Sequence, residues 1–275
     1  MAFKSRNHTV NRLGGAGAGY RGKDRKDAWY DQSSEPQFDL GEKIELSDGR
    51  CFRYCYFSAA ANRGLVVGPN FSGGGMVEIS DGTVGTDAVA GSNVVTLTAA
   101  GSSGPDADFQ GVTANQFEGA YLHITDADGE GFTYRIKSHG AASSDAVEFT
   151  LFDPLVTALD TASGYTTDWA ISPNPYNNVI ATDMTHTAVV NQMVTGITMT
   201  NVTSGYYAWV QSRGIGTALA DGATVIGQAA TCSDGVAGAI QVKDAETEIT
   251  VGYCLTVVGT GEHAPIMISI PGIDG

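Results

Sequence analysis

From Phe38 onward the apolar residues come in short runs separated by turn residues, and no stretch of normal helix length keeps a 3.6-residue spacing. Residues 42–46 and 50–57 flank Asp48-Gly49, which predicts a hairpin with an Asp-Gly turn. In the second of these strands Phe52, Tyr54 and Tyr56 share one face and Arg53, Cys55 and Phe57 the other, so both faces are expected to be covered. Further strands are predicted over 76–79, 92–98, 120–125, 132–137 and 146–152, with a second hairpin around Asp126-Ala-Asp-Gly-Glu-Gly131. Residues 156–161 are the one short piece with helical character. A turn-rich crossing over 168–182, with Trp169, Pro173 and Pro175, leads into strands over 194–200, 205–211, 224–226, 236–242, 248–251 and 267–270.

The pattern predicts an all-β protein: a β-sandwich or barrel body of short antiparallel strands with an extended N-terminal arm. Its regions are an arm over 1–35, a β-rich region over 36–175 and a second over 176–275, the last able to share a core with 36–70. Thirty-six glycines and a charged fraction of only 16% suit short strands joined by tight turns.

Charge divides the chain differently. Seven of its fifteen basic residues, Lys4, Arg6, Arg12, Arg21, Lys23, Arg25 and Lys26, lie in the first 26 positions with Asp24 as the only acid. That segment therefore carries about +6, and the other 8 basic and 29 acidic residues carry about −21. Rich in glycine and poor in large apolar groups, the segment cannot offset its own ordering entropy and is expected to order only against a partner. The acidic remainder makes nucleic acid an unlikely partner, because phosphate binding needs a basic surface. No apolar run of signal-peptide or membrane-span length is present, so the expectation is a soluble chain that is not Sec-exported and has no membrane partner.

Chemical motifs are weak. Gly17-Ala-Gly19-Tyr-Arg-Gly22 matches a dinucleotide fingerprint but lacks the flanking strand and helix. Asp126 to Gly131 matches half a calcium loop, yet Lys137 occupies the position of the bidentate glutamate, so a hairpin turn is the better reading. His8, His123, His139, His186 and His263 are scattered. Cys51 and Cys55 are roughly 13 Å apart along a strand, too far for a disulfide; with Cys232 and Cys254 they read as four buried thiols. No catalytic residue, cofactor or metal is predicted. The aromatic strand Gly205-Tyr-Tyr-Ala-Trp-Val-Gln211 places Tyr207 and Trp209 on one face, as core, as a subunit interface or as a glycan platform.

Five segments together resemble the capsid decoration proteins, also called cement or head-stabilising proteins, of tailed bacteriophages. They are Leu46-Ser-Asp-Gly-Arg-Cys-Phe-Arg-Tyr54, Gly129-Glu-Gly-Phe-Thr-Tyr-Arg-Ile-Lys137, Leu151-Phe-Asp-Pro-Leu155, Asn174-Pro-Tyr-Asn-Asn-Val179 and Gly205-Tyr-Tyr-Ala-Trp-Val-Gln211. The resemblance implies a non-enzymatic virion protein on the outer capsid surface, clamping neighbouring major capsid proteins in many copies, with a trimer favoured over a dimer. On that reading the seven arm cations meet acidic capsid patches and Trp29 and Tyr30 are anchors, while Phe52, Tyr54, Tyr56, Tyr207 and Trp209 form core or subunit interface. Two other readings stay open: a phage tail or receptor-binding protein whose Tyr207 and Trp209 contact glycans, and a polysaccharide-active β enzyme working through paired carboxylates.

Overall fold

The computed structural model describes residues 29–69, 79–98, 109, 112–143, 145–161, 167–172, 174–182, 193–246 and 248–273. The fold is all-β. The chain divides into two compact units, with the described residues up to Pro69 and from Pro175 onward in one and those between 70 and 174 in the other. Residues 36–69 therefore belong to one unit with 175–273, and the region boundary lies at 69/70 as well as near 175.

The first unit opens with β1 (Gln32–Ser33), β2 (Lys43–Glu45), β3 (Cys51–Phe57) and β4 (Val66–Pro69). The second contains β5 (Ile79–Val84), β6 (Val94–Thr98), β7 (Tyr121–Asp126), β8 (Thr133–His139), β9 (Ala146–Leu151) and β10 (Asp168–Ser172). The first unit then resumes with β11 (Val179–Ala181), β12 (Gly196–Thr198), β13 (Tyr206–Leu219), β14 (Ala229–Cys232), β15 (Ile240–Val242), β16 (Gly252–Cys254) and β17 (His263–Ser269).

The second unit is a closed barrel in the order β10-β5-β6-β9-β8-β7. Alternation fills it: Val95, Leu97, Leu122, Ile124, Tyr134, Ile136, Val147, Phe149, Trp169 and Ile171 all point into one buried cluster. Trp169 stacks flat on Phe109, 5.3 Å between ring centres, and donates its indole N–H to the Thr83 carbonyl at 2.9 Å. The turn-rich reading of 168–172 is thus corrected: β10 closes the barrel by pairing with both β5 and β7. The helical reading of 156–161 is corrected too. Leu155 and Leu159 are buried in the barrel core, and their backbone pairs instead with the loop between β5 and β6, Leu159 exchanging two hydrogen bonds with Ala88. Residues 126–131 form the β7–β8 hairpin turn, with Ala127, Gly129 and Gly131 all at positive φ.

In the first unit β13 pairs along both edges. One edge meets β3 from Tyr206 to Arg213, and the other meets β1, β12 and β17 in succession. The pairings close two rings that share this strand. The first runs β3-β13-β12-β4-β11 and returns to β3 through the parallel pair Val179↔Phe57. The second runs β13-β17-β16-β14-β15 and returns through a parallel bridge between Ile240 and Ala220. Cys55, Phe57, Val67, Val179, Ala208 and Val210 pack in the first. Ala218, Ala230, Cys232, Ile240, Cys254, Ile266 and Ile268 pack in the second. The expected hairpin is present as β2–β3, with Ile44 opposite Phe52 and Gly49 at φ 87°. The expected strands over 224–226 and 248–251 are turns and connections instead, displaced into the neighbouring β14 and β16.

Between its two rings β13 bends. Its register with β3 shifts between Gln211 and Arg213, and Gly214 takes φ 91° with its Cα facing Arg50 so closely that a Cβ would lie 2.9 Å from the Arg50 Cα. The buried Gln211 side chain bridges the bend, its amide N–H groups donating to the carbonyls of Arg213 and Ile215 at 3.0 Å each. Gly214→Ala combines a strained backbone with a contact against backbone atoms, and is expected to lower stability by about 1–3 kcal/mol, read as an earlier midpoint in urea unfolding.

Candidate functional site

The seven cations of the predicted arm lie outside the described residues, but the root from which that segment departs is in view. Residues 29–38 lie across the β3–β13 face that carries Phe52, Tyr54, Tyr207 and Trp209. The 1–35 boundary of the arm is therefore too long: residues 29–35 belong to the body by their contacts.

Three kinds of contact fix the root. Backbone pairing sets Gln32 opposite Ala208 and Ser33 opposite Tyr207. The Gln32 side-chain oxygen accepts the Thr203 N–H at 2.7 Å, and the Gln37 N–H donates to the Tyr54 hydroxyl at 3.1 Å. Aromatic packing completes the seat. Trp29 stacks on Phe52 at 5.4 Å and 16°, and Phe38 meets Tyr54 and Trp209 edge-on at 5.2 and 5.1 Å. Cross-strand register explains why these rings meet. Trp209 lies opposite Tyr54 and Tyr207 opposite Tyr56, so the aromatic positions of both strands rise from one face.

Phe52, Tyr54 and Trp209 are buried, and Tyr56 and Tyr207 are half-buried. Burial pushes the Tyr54 phenol up to about 12, with the hydrogen bond from Gln37 acting in the opposite sense. With Trp209 covered, the flat Tyr207–Trp209 platform needed to stack a sugar is not exposed. Trp29 packs within its own chain, so the expected anchor to a partner is an anchor to the body; Tyr30 remains exposed. The Trp29 indole N–H is buried and finds no hydrogen-bond partner among the described residues.

Other chemistry-bearing groups are structural. All four cysteines are free and buried, and burial raises the thiols of Cys55, Cys232 (to about 11) and Cys254, away from thiolate reactivity. His139 accepts the Phe117 N–H on Nε2 at 2.9 Å and donates from Nδ1 to the Gly140 carbonyl at 2.7 Å, which assigns the neutral Nδ1–H tautomer. One cluster escaped the sequence. His123 stands between Thr133 and Ser172, Nδ1 to the first hydroxyl at 3.0 Å and Nε2 to the second at 2.9 Å. The pairing of β7 with β8 and β10 brings these residues together across long sequence separations. A hydroxyl, not a carboxylate, holds the nitrogen opposite Ser172, so the imidazolium of a nucleophilic triad lacks its counter-charge here. Among the described residues no three His, Cys, Asp or Glu side chains converge as a metal site requires.

Comparison with known proteins finds no matching family model, no similar curated protein and no similar solved structure.

Two predictions follow from the anchor and from His139. Trp29→Ala removes the stack on Phe52 and is expected to cost about 1–2 kcal/mol in urea unfolding, whereas Trp29→Phe keeps the stack, drops the unpaired N–H and leaves stability near wild type. Burial lowers the His139 imidazole from 6.5, with its hydrogen bond to Gly140 opposing. Its contribution is therefore complete above the unfolded value and is lost as pH falls, because the unfolded chain binds the proton first, with a slope of at most about 1.4 kcal/mol per pH unit. The drop in melting temperature between neutral and mildly acidic buffer should be larger for wild type than for His139→Gln.

Proposed function

We propose that the chain is a virion structural protein that decorates the outer surface of a tailed-bacteriophage capsid, bridging neighbouring major capsid proteins with its basic N-terminal segment as a clamp. The observation that carries this reading is the seat of that segment's root. A clamp transmits load only if its near end is fixed, and here the chain is held by strand pairing at Gln32 and Ser33 and by the Trp29–Phe52 stack, three residues after Lys26 in the sequence. The resemblance of the five segments to decoration proteins points the same way.

The charge division supports it further. A segment of about +6 on a body of about −21 is suited to acidic patches on a neighbouring shell protein, and a densely acidic exterior keeps a particle covered in many copies dispersed. Contacts of this kind form by folding on binding, so the segment's composition is a requirement of the role. Tyr30, exposed beside the anchor, is the first side chain available to the partner surface. The same reading holds that the copies associate with one another, as a trimer before a dimer.

The test replaces Lys4, Arg6, Arg12, Arg21, Lys23, Arg25 and Lys26 together with Gln and measures binding to capsids stripped of the protein across a salt series. Binding is expected to weaken at low salt and to lose most of its salt dependence. Unchanged low-salt binding would remove the clamp from the mechanism.

A further inference from the structure

The outer surface of the second ring breaks the alternation that a solvent-facing strand should show. With Ile266 and Ile268 directed into the core, the opposite phase of β17 faces out, and there Met267 lies in register with Ile215 on one side and Tyr253 on the other. These three are 59% (Ile215), 40% (Met267) and 49% (Tyr253) exposed. The next row is Thr217 opposite Pro265, whose carbonyl accepts the N–H of the exposed Leu255 at 3.0 Å. Hydrogen bonds from Gly227 to Cys254 and from Thr224 to Val258 hold two loops side by side, and these add the exposed Val225, Ile226 and Val257. A one-sided antiparallel sheet ordinarily presents polar residues to water. This face presents seven large apolar side chains, and none of the seven is an acidic or basic residue.

We propose that this face is the contact between copies of this chain. A half-uncovered large apolar side chain leaves on the order of 100 Å², so the seven together leave roughly 600–700 Å². That exceeds the few hundred Å² of ordinary patches and approaches the ~800 Å² that one partner contributes to a standard interface. Charge selects a second copy as the occupant. At a formal net charge of −15, two copies repel wherever acidic surfaces meet, and a face whose centre carries no acidic residue lets them approach at the least cost, with Lys243, beyond Ala229 in the row of Tyr253, at its margin. Such a face can meet the apolar surface of a second copy, whereas a charged partner gains nothing from it. Arg213, paired with Ser269, and His263, opposite Leu219, supply polar groups at the two ends of the β13–β17 ladder.

The inference deepens the decoration reading by naming the surface between copies, and it rests on that reading only for its setting. Salt separates the two contacts. The cationic clamp weakens as salt rises, whereas association of like-charged copies through an apolar face strengthens as their repulsion is screened. The experiment is sedimentation equilibrium of the full-length chain without capsids at low and high salt, for wild type, Met267→Glu and Tyr253→Ser, with thermal melting as the fold control. Wild type is expected to sediment as a dimer or trimer, more tightly at high salt. Each variant should melt like wild type and show a dissociation constant at least tenfold higher. A wild-type chain that is monomeric at both salts, or folded variants that associate as tightly as wild type, would overturn the proposal. Capsid binding read on the seven-cation variant then separates the two readings: unchanged low-salt capsid binding with wild-type self-association fails the clamp alone, and weakened capsid binding from a chain that is monomeric at both salts fails the contact between copies alone.

Discussion

Backbone hydrogen bonding along both edges of β13 is the constraint on which the first unit depends. Over its first half this strand is flanked on both sides, by β3 on one edge and β1 and β12 on the other, and from Arg213 on it pairs with β17, so that its first half walls one ring and its second half the other. The two halves cannot lie straight and still close both rings. The bend at 212–214 resolves this, through a register shift, a glycine at positive φ and an amide that satisfies two carbonyls at once. The aromatic seat for residues 29–38 is built on the first half and the exposed apolar face on the second, so the geometry of each is tied to the same strand.

That dependence also explains what could be read from the sequence. The fold class was legible because alternation and turn chemistry are local, and the hairpins at Asp48-Gly49 and Asp126 to Gly131 carry both signals. The length of β13 was not. Ser212-Arg-Gly-Ile-Gly reads as a strand end, since nothing local says that Gly214 bends a continuing ladder under Arg50. Asp81-Gly82 hid β5 in the same way, and the flanking prolines hid β10. Leu155 and Leu159 were four apart, a helical spacing, but tertiary burial in the barrel overrode it. The division into units was illegible for a different reason: the Gly-rich 68–75 marks a break, but that 36–69 packs with 175–273 is a fact of long-range pairing.

The candidate site divides along the same line. The shared face of Phe52 and Tyr54 and that of Tyr207 and Trp209 were readable from strand phase, because phase decides which side chains share a face, and Trp29 stood out only as a large aromatic beside the cations. What phase could not tell was that residues 29–38 themselves cover that face, turning a possible exposed platform into an anchored root. His123 and Ser172 were invisible as a pair, because β7 and β10 become neighbours only when the barrel closes.

The inserted barrel has a consequence for the order of synthesis. Its first and last strands pair with each other, Ile79 opposite Ile171, while on the host side Pro69 lies opposite Val179. The barrel's strands are consecutive in the chain and can close before β11 to β17 have been made. Once closed, it brings its own ends together, and what would be a long unfolded loop between β4 and β11 becomes a short one with a correspondingly smaller entropy of closure. Closure of the insert thus shortens the loop that the pairing of Pro69 with Val179 has to close, and a long excursion of the chain costs its host fold less than its length suggests.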